Sequence, residues 1–103
     1  MNESQLQAQI LRWLEALPRT EVIKIIKANK RGVPDIFYMG DGRGVWFEVK
    51  VPGGKATRIQ EAVMESIREA KFEAYTVRSL EEVKHIVASS ATEIEIELGK
   101  YHG

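Results

Sequence analysis

Pro34-Asp35-Ile36-Phe37-Tyr38-Met39-Gly40-Asp41-Gly42-Arg43-Gly44-Val45-Trp46-Phe47-Glu48-Val49-Lys50 is the stretch that decides the fold. Two runs rich in β-branched and aromatic residues, Asp35 to Met39 and Val45 to Lys50, read as strands. Asp41-Gly42 between them is a strong hairpin signal, because a type I′ turn needs positive φ at both central residues. If those two residues are the whole loop, Gly40 faces Arg43. Counting back along both strands then sets Asp35 opposite Glu48. Directly paired residues have Cβ atoms about 4.5–5.5 Å apart. Side chains alternate along a strand, so Lys50 shares the face of Glu48. Like charges placed opposite each other are unfavourable. A divalent cation between the two carboxylates would offset that repulsion. A longer loop or a bulge among the glycines would shift the register and break the pairing.

Length and composition bound what surrounds this hairpin. A chain of 103 residues reads as one domain, spanning 1–103, with a single modest core. It has no cysteine, which excludes disulfides and thiolate chemistry. No apolar run approaches the roughly 18 residues of a membrane span. The start of the chain does not read as a signal peptide, so an intracellular protein is expected. Net charge is zero, yet its distribution is uneven. Residues 19 to 58 hold nine Lys or Arg against four acids, a local charge of +5, and the remainder carries −5. The positive charge surrounds the hairpin and would draw a polyanion to it. Solvated loop charges would give the same count for short clusters such as Lys27 to Arg31.

The rest of the chain supplies layers for a sheet. Leu6, Ile10, Trp13, Leu14 and Leu17 have helical spacing over Glu3 to Leu17. Asn2 or Ser4 can cap that helix, Ser4 with Gln7 forming a capping-box pattern, and Pro18 ends it. Glu21 to Lys27 reads as a strand. Thr57 and Gln60 form a second capping box, followed by Ile59, Val63, Ile67 and Ala70 as the buried face of a helix. Ala74 to Val77 is a short strand. Ser79 with Glu82 opens a third helix that carries Leu80, Val83 and Val87 inward. Thr92 to Leu98 alternates acidic and apolar residues, as an edge strand or a frayed tail would. The order α-β-β-β-α-β-α(-β) predicts an α/β fold, a mixed sheet flanked by helices. Val45–Lys50, the second helix and Ala74–Val77 are long enough together for a parallel crossover.

Two close carboxylates with a nearby backbone carbonyl supply hard oxygen ligands of the kind Mg²⁺ prefers. A cation there would neutralise charge on a phosphate and acidify a water. Lys50, a compact point charge, could position that water or stabilise the phosphate. These parts describe phosphodiester hydrolysis.

Pro34-Asp35, twelve residues and Glu48-Val49-Lys50 resemble the PD-(D/E)xK nuclease superfamily. With Glu3, Gly32-Val33-Pro34-Asp35 and Gln60 included, the chain resembles more specifically the VRR-NUC (virus-type replication-repair nuclease) family, from about Glu3 to Val83. The resemblance implies a restriction-endonuclease-like core and Mg²⁺- or Mn²⁺-dependent DNA cleavage. It implies that Asp35, Glu48 and the Val49 carbonyl ligate metal and that Lys50 assists the water. Glu3 and Gln60 would support the site, Glu3 as a candidate further ligand. Free-standing small members, often viral, resemble homodimers that cut branched DNA such as four-way junctions, a DNA-repair activity. The implied setting is the cytoplasm of a prokaryote or of a virus-infected cell. Lys30, Arg31, Lys55 and Arg58 flank the hairpin as candidate phosphate contacts. Trp13 and Trp46 belong in the core or at an interface.

Each residue also has a plainer reading. Asp35 could be a post-proline turn residue, Glu48 and Lys50 a rim ion pair, Glu3 a helix-dipole acid and Gln60 only a cap. A non-catalytic nucleic-acid-binding module on the same fold is the alternative to an enzyme. A protein-interaction domain with an incidental ion pair is a third.

Overall fold

The type I′ turn forms as its sequence requires. In the computed structural model, which describes residues 1–90 and Ile94, Asp41 and Gly42 have φ of 51° and 73°. That turn joins β2 (Ile36–Gly40) to β3 (Arg43–Val49) with Gly40 opposite Arg43 and Ile36 opposite Phe47. β1 (Thr20–Lys24) pairs antiparallel with β2, and β4 (Glu73–Val77) pairs parallel with β3. The sheet order is β1-β2-β3-β4. The helices are α1 (Glu3–Glu15), α2 (Arg58–Glu69) and α3 (Leu80–Ala88). The expected mixed sheet, flanking helices and parallel β3–α2–β4 crossover are all present.

Residue alternation divides the sheet into two faces. One carries Ile36, Tyr38, Val45, Phe47, Val49 and Val77, which pack with Leu6, Ile10 and Leu14 of α1 and Val83 and Ile86 of α3. Phe47, Ile10 and Leu14 are fully buried there. Burying a side chain of that size contributes about 1.5–3 kcal/mol. The other face carries Phe37 stacked on Trp46 at 4.4 Å, and α2 crosses it. Met64 is the only α2 residue buried. The expected buried face of α2 is therefore only partly realised. Val63 and Ile67 are half-buried, Ile59 is 47% exposed and Ala70 is exposed. The helix packs beside β4 and leaves the β1–β2 side of this face open.

Three boundaries depart from the sequence reading for identifiable reasons. β1 ends at Lys24 rather than Lys27. Its next pairing position beyond Ile25 would face Pro34, which has no N–H to donate. The α1 capping box is Asn2 with Gln5, through two 2.9 Å hydrogen bonds, rather than Ser4 with Gln7. α1 ends at Glu15, short of Leu17, because a residue before proline is pushed out of helical conformation. The expected strand or tail over Thr92 to Leu98 lies outside the described residues apart from Ile94, which is helical and buried in the core. No helix among the described residues is long and apolar enough to cross a membrane.

A half-buried ion pair locks the hairpin end of the sheet. Arg43 meets Glu73 through two 2.8 Å bonds and donates to the carbonyls of Ile86, Val87 and Ser89 at the end of α3. Tyr75 donates its hydroxyl to Glu73 at 2.6 Å. Burial alone would raise the Glu73 carboxyl, but the hydrogen bonds of Arg43 and Tyr75 and the Arg43 charge hold it below the usual range.

Candidate functional site

The end of the sheet opposite the hairpin turn brings the two expected carboxyls together. Asp35 lies one residue before β2 and Glu48 one residue before the end of β3. The β2–β3 register extends to place them opposite each other, on the Phe37–Trp46 face. The Asp35 carboxylate also accepts the Val49 backbone N–H at 2.8 Å. That bond fixes the carboxylate across the strand end, and the Ile25 N–H bonded to the Asp35 carbonyl at 2.8 Å fixes its backbone.

Glu48 is 2% exposed, the one charged residue among the buried ones described. Its carboxyl faces that of Asp35 across the strand pair, close enough for the Asp35 charge to act on it. Burial, then the Asp35 carboxylate beside it, raises it to about 8, with Glu3 adding a smaller push and Lys50 opposing. Lys50 is half-buried, and its backbone N–H bonds to the Val77 carbonyl at 3.0 Å. Its charge and that of Glu3 are thus both felt at Glu48. Among the described residues no three His, Cys, Asp or Glu side chains gather into a metal-binding cluster. The side-chain donors are therefore the Asp35–Glu48 pair, with Glu3 outside such a group. A facing carboxyl pair at a strand end, presenting hard oxygens, fits Mg²⁺ or Mn²⁺.

The supporting residues fall into place unequally. Gln60 completes the expected capping box: its side-chain oxygen accepts the Thr57 N–H at 2.9 Å, and its own N–H reaches the Thr57 hydroxyl at 3.2 Å. Lys30, Arg31, Lys55 and Arg58 are all exposed. Lys30 and Arg31 lie on the loop before Asp35, Lys55 lies on the loop after β3, and Arg58 opens α2. Arg78, which no sequence pattern singled out, donates to the Gly54 carbonyl at 2.9 Å and ties down the loop that carries Lys55. Phe37 and Trp46, which the sequence reading did not place beside the carboxyl pair, are set opposite each other by the same turn register, the signal that could have found them.

Gly32 packs the loop before Asp35 against Ile59 of α2. It has φ of +84°, and a Cβ there would lie 2.6 Å from Ile59 Cγ2 and 2.9 Å from the Ile59 carbonyl oxygen. The loop that delivers Pro34 and Asp35 therefore rests against the start of α2. Gly32→Ala is expected to destabilise the protein by about 1–3 kcal/mol, read by urea unfolding. A variant as stable as the parent would show that this contact is not tight.

Glu48 also sets a pH dependence for the metal-free protein. Its ordinary value is 4.5 and its folded value is about 8, so the folded state binds the proton more tightly. This group's contribution to stability is thus full below about 4.5 and declines as pH rises toward 8. With chelator present, Tm should be higher near pH 5 than at pH 8.5. Mg²⁺ or Mn²⁺ should recover much of the difference at pH 8.5. A Tm that rises steadily with pH would contradict the environment described for Glu48.

No family model and no curated protein matches the sequence. Solved structures do. One described as "VRR_NUC domain" superposes with a TM-score of 0.72 at 24% identity, covering 84% of this chain and 94% of its own. Another, described as "VRR_NUC domain protein", gives 0.74 at 17% identity, covering 85% and 86%. The chain has the VRR-NUC fold. It is a restriction-endonuclease-like α/β fold. Within the VRR-NUC fold of this chain, Asp35 and Glu48 meet where the carboxyl end of β3 adjoins the start of β2.

Proposed function

We propose that this protein is a single-domain nuclease of the VRR-NUC family that hydrolyses DNA phosphodiesters with Mg²⁺ or Mn²⁺. The observation that carries the reading is the Asp35–Glu48 carboxyl pair, with Glu48 buried and set opposite Asp35 by the strand register. A carboxyl pair held this way is poised to exchange its proton for a cation. The VRR-NUC likeness of the fold supports the same reading.

Asp35, Glu48 and the Val49 carbonyl would hold the divalent cation, which when bound neutralises phosphate charge and lowers the pKa of a water. The residues of the chain do the rest. The Val49 N–H orients Asp35 toward Glu48. Glu48 releases its proton as the site fills. Lys50, on the Glu48 face of β3, would hold the water or a phosphate oxygen. Gln60 keeps the start of α2 folded beside the site. Glu3 contributes negative charge that favours a cation. Lys30, Arg31, Lys55 and Arg58 would bind phosphates along the approaching backbone.

The substrate we assign is branched DNA such as four-way junctions, cut by a homodimer inside the cell with weak sequence preference. Two copies would present two sites to the arms of one junction. Labelled duplex and junction DNA incubated with Mg²⁺, Mn²⁺ or chelator tests the reading. Metal-dependent cutting, with junctions preferred, is expected. Cutting that survives the chelator overturns the mechanism, and tight binding with no cutting marks a binding module instead.

A further inference from the structure

Beside the carboxyl pair lies an open groove of about 420 Å³. Trp46 forms part of its floor, Ile25, Lys27 and Lys30 line one side, and Ser66 and Ile67 of α2 line the other. Trp46 is two residues before Glu48, so their side chains share a face of β3. Trp46 is half-buried, with Phe37 stacked on it from β2. Ile25 continues β1 beside Asp35, to whose carbonyl it donates its N–H. Through Trp46 and Ile25 the groove lies next to the proposed site, whose carboxyls do not themselves line it.

Its walls differ in chemistry. One side brings Lys27 and Lys30, with Arg31 next in the chain, all exposed. The other and the floor are apolar apart from the Ser66 hydroxyl. A flat apolar partner that carries regular negative charge matches this combination. Unpaired nucleotides have that character, since bases stack on aromatic and apolar side chains while cations follow the phosphates. A duplex keeps its bases stacked inward and cannot offer them to Trp46.

We propose that this groove is a subsite for an unpaired nucleic-acid strand running up to Asp35 and Glu48, with bases against Trp46 and phosphates along Lys27 and Lys30. The inference rests on the nuclease reading and adds what that reading lacks, a feature of the chain that senses an unpaired strand next to the scissile bond.

The chain has two tryptophans, so Trp13→Phe leaves Trp46 as the sole reporter. That variant is titrated with an eight-residue oligothymidylate and with a blunt duplex of equal length, in chelator at low salt. Saturable quenching of Trp46 by the single strand but not by the duplex is expected. Ser66→Glu, an exposed helical position on the groove wall, should weaken single-strand binding roughly tenfold, by repulsion of phosphate in a partly desolvated groove. Unchanged Trp46 emission, equal quenching by duplex, or no effect of Ser66→Glu overturns the proposal. Emission that shifts with protein concentration in the absence of DNA also overturns it, because a second copy then occupies the groove. A parallel assay of Trp13→Phe on junction DNA with Mg²⁺ separates the two readings. Metal-dependent cutting without Trp46 quenching removes the groove and leaves the nuclease. Quenching without cutting keeps the groove as a strand-binding site and removes the nuclease.

Discussion

Glu48→Gln should reduce DNA cleavage on the order of a thousandfold or more while leaving a folded protein. Gln keeps the shape of Glu48 and an oxygen for one hydrogen bond, but it cannot carry the negative charge that holds a cation. Metal charge stabilisation is worth several kcal/mol in a transition state, and each 1.36 kcal/mol is a factor of ten in rate. The same change should raise stability in chelator at pH 8.5. Wild-type protein must there keep a buried carboxylate against Asp35, whereas the amide has no charge to bury. Loss of activity with gain of metal-free stability separates a functional residue from a packing residue. Single-turnover cleavage and thermal unfolding of the same preparation measure both. A variant that cuts within a few-fold of wild type would remove Glu48 from the chemistry. One that loses stability at pH 8.5 would show that Glu48 is a structural partner rather than a strained one.

The second large effect lies at the other end of the sheet. Arg43→Ala should destabilise the protein by about 3 kcal/mol, the lower end of the range for removing one partner of a buried ion pair, because this pair is half-buried. For a domain of this size that lowers Tm by on the order of 15 °C or more. Arg43 and Glu73 side chains are only 16% and 14% exposed, and Arg43 also meets three carbonyls that end α3. Truncation leaves the Glu73 charge with the Tyr75 hydroxyl alone and those carbonyls without their arginine donor. Arg43→Met with Glu73→Leu should recover the part of the loss that comes from the unpaired charge, while the α3 carbonyls stay without their arginine donor. Acid should mimic the truncation. Glu73 is held below its ordinary value, so its contribution is present at neutral pH and is lost as pH falls through the depressed value. An Arg43→Ala loss below about 1 kcal/mol would place this pair with ordinary surface ion pairs. The Glu48 and Glu73 effects run in opposite directions with pH, which favours mildly acidic conditions for the metal-free protein.

The hairpin was legible in the sequence because its signals are local and agree. Asp41-Gly42 permits one turn, that turn sets one register, and the register brings Asp35 to Glu48 and Phe37 to Trp46. Period and capping located the three helices to within a turn. Errors came where two local solutions compete, as with Asn2 and Ser4 at the start of α1, or where a partner strand decides, as with Pro34 cutting β1 short. The Arg43 clamp and the Arg78 tether were not legible, because their partners Glu73 and Gly54 are distant in sequence and no period links them. The groove was hidden for a related reason. Its existence depends on where the crossover lays α2 across the sheet, and the pattern Ile59, Val63, Ile67 shows an apolar stripe without showing how much of it is covered.

The central claim is that Asp35 and Glu48 together hold a divalent cation. A crystal grown at pH 7.5 and soaked in Mn²⁺, with data collected at the manganese absorption edge, tests it most directly. The account predicts one anomalous peak within bonding distance of both carboxylates. Density at the pair with no anomalous signal, or manganese bound elsewhere on the chain and none at Asp35 and Glu48, would contradict it.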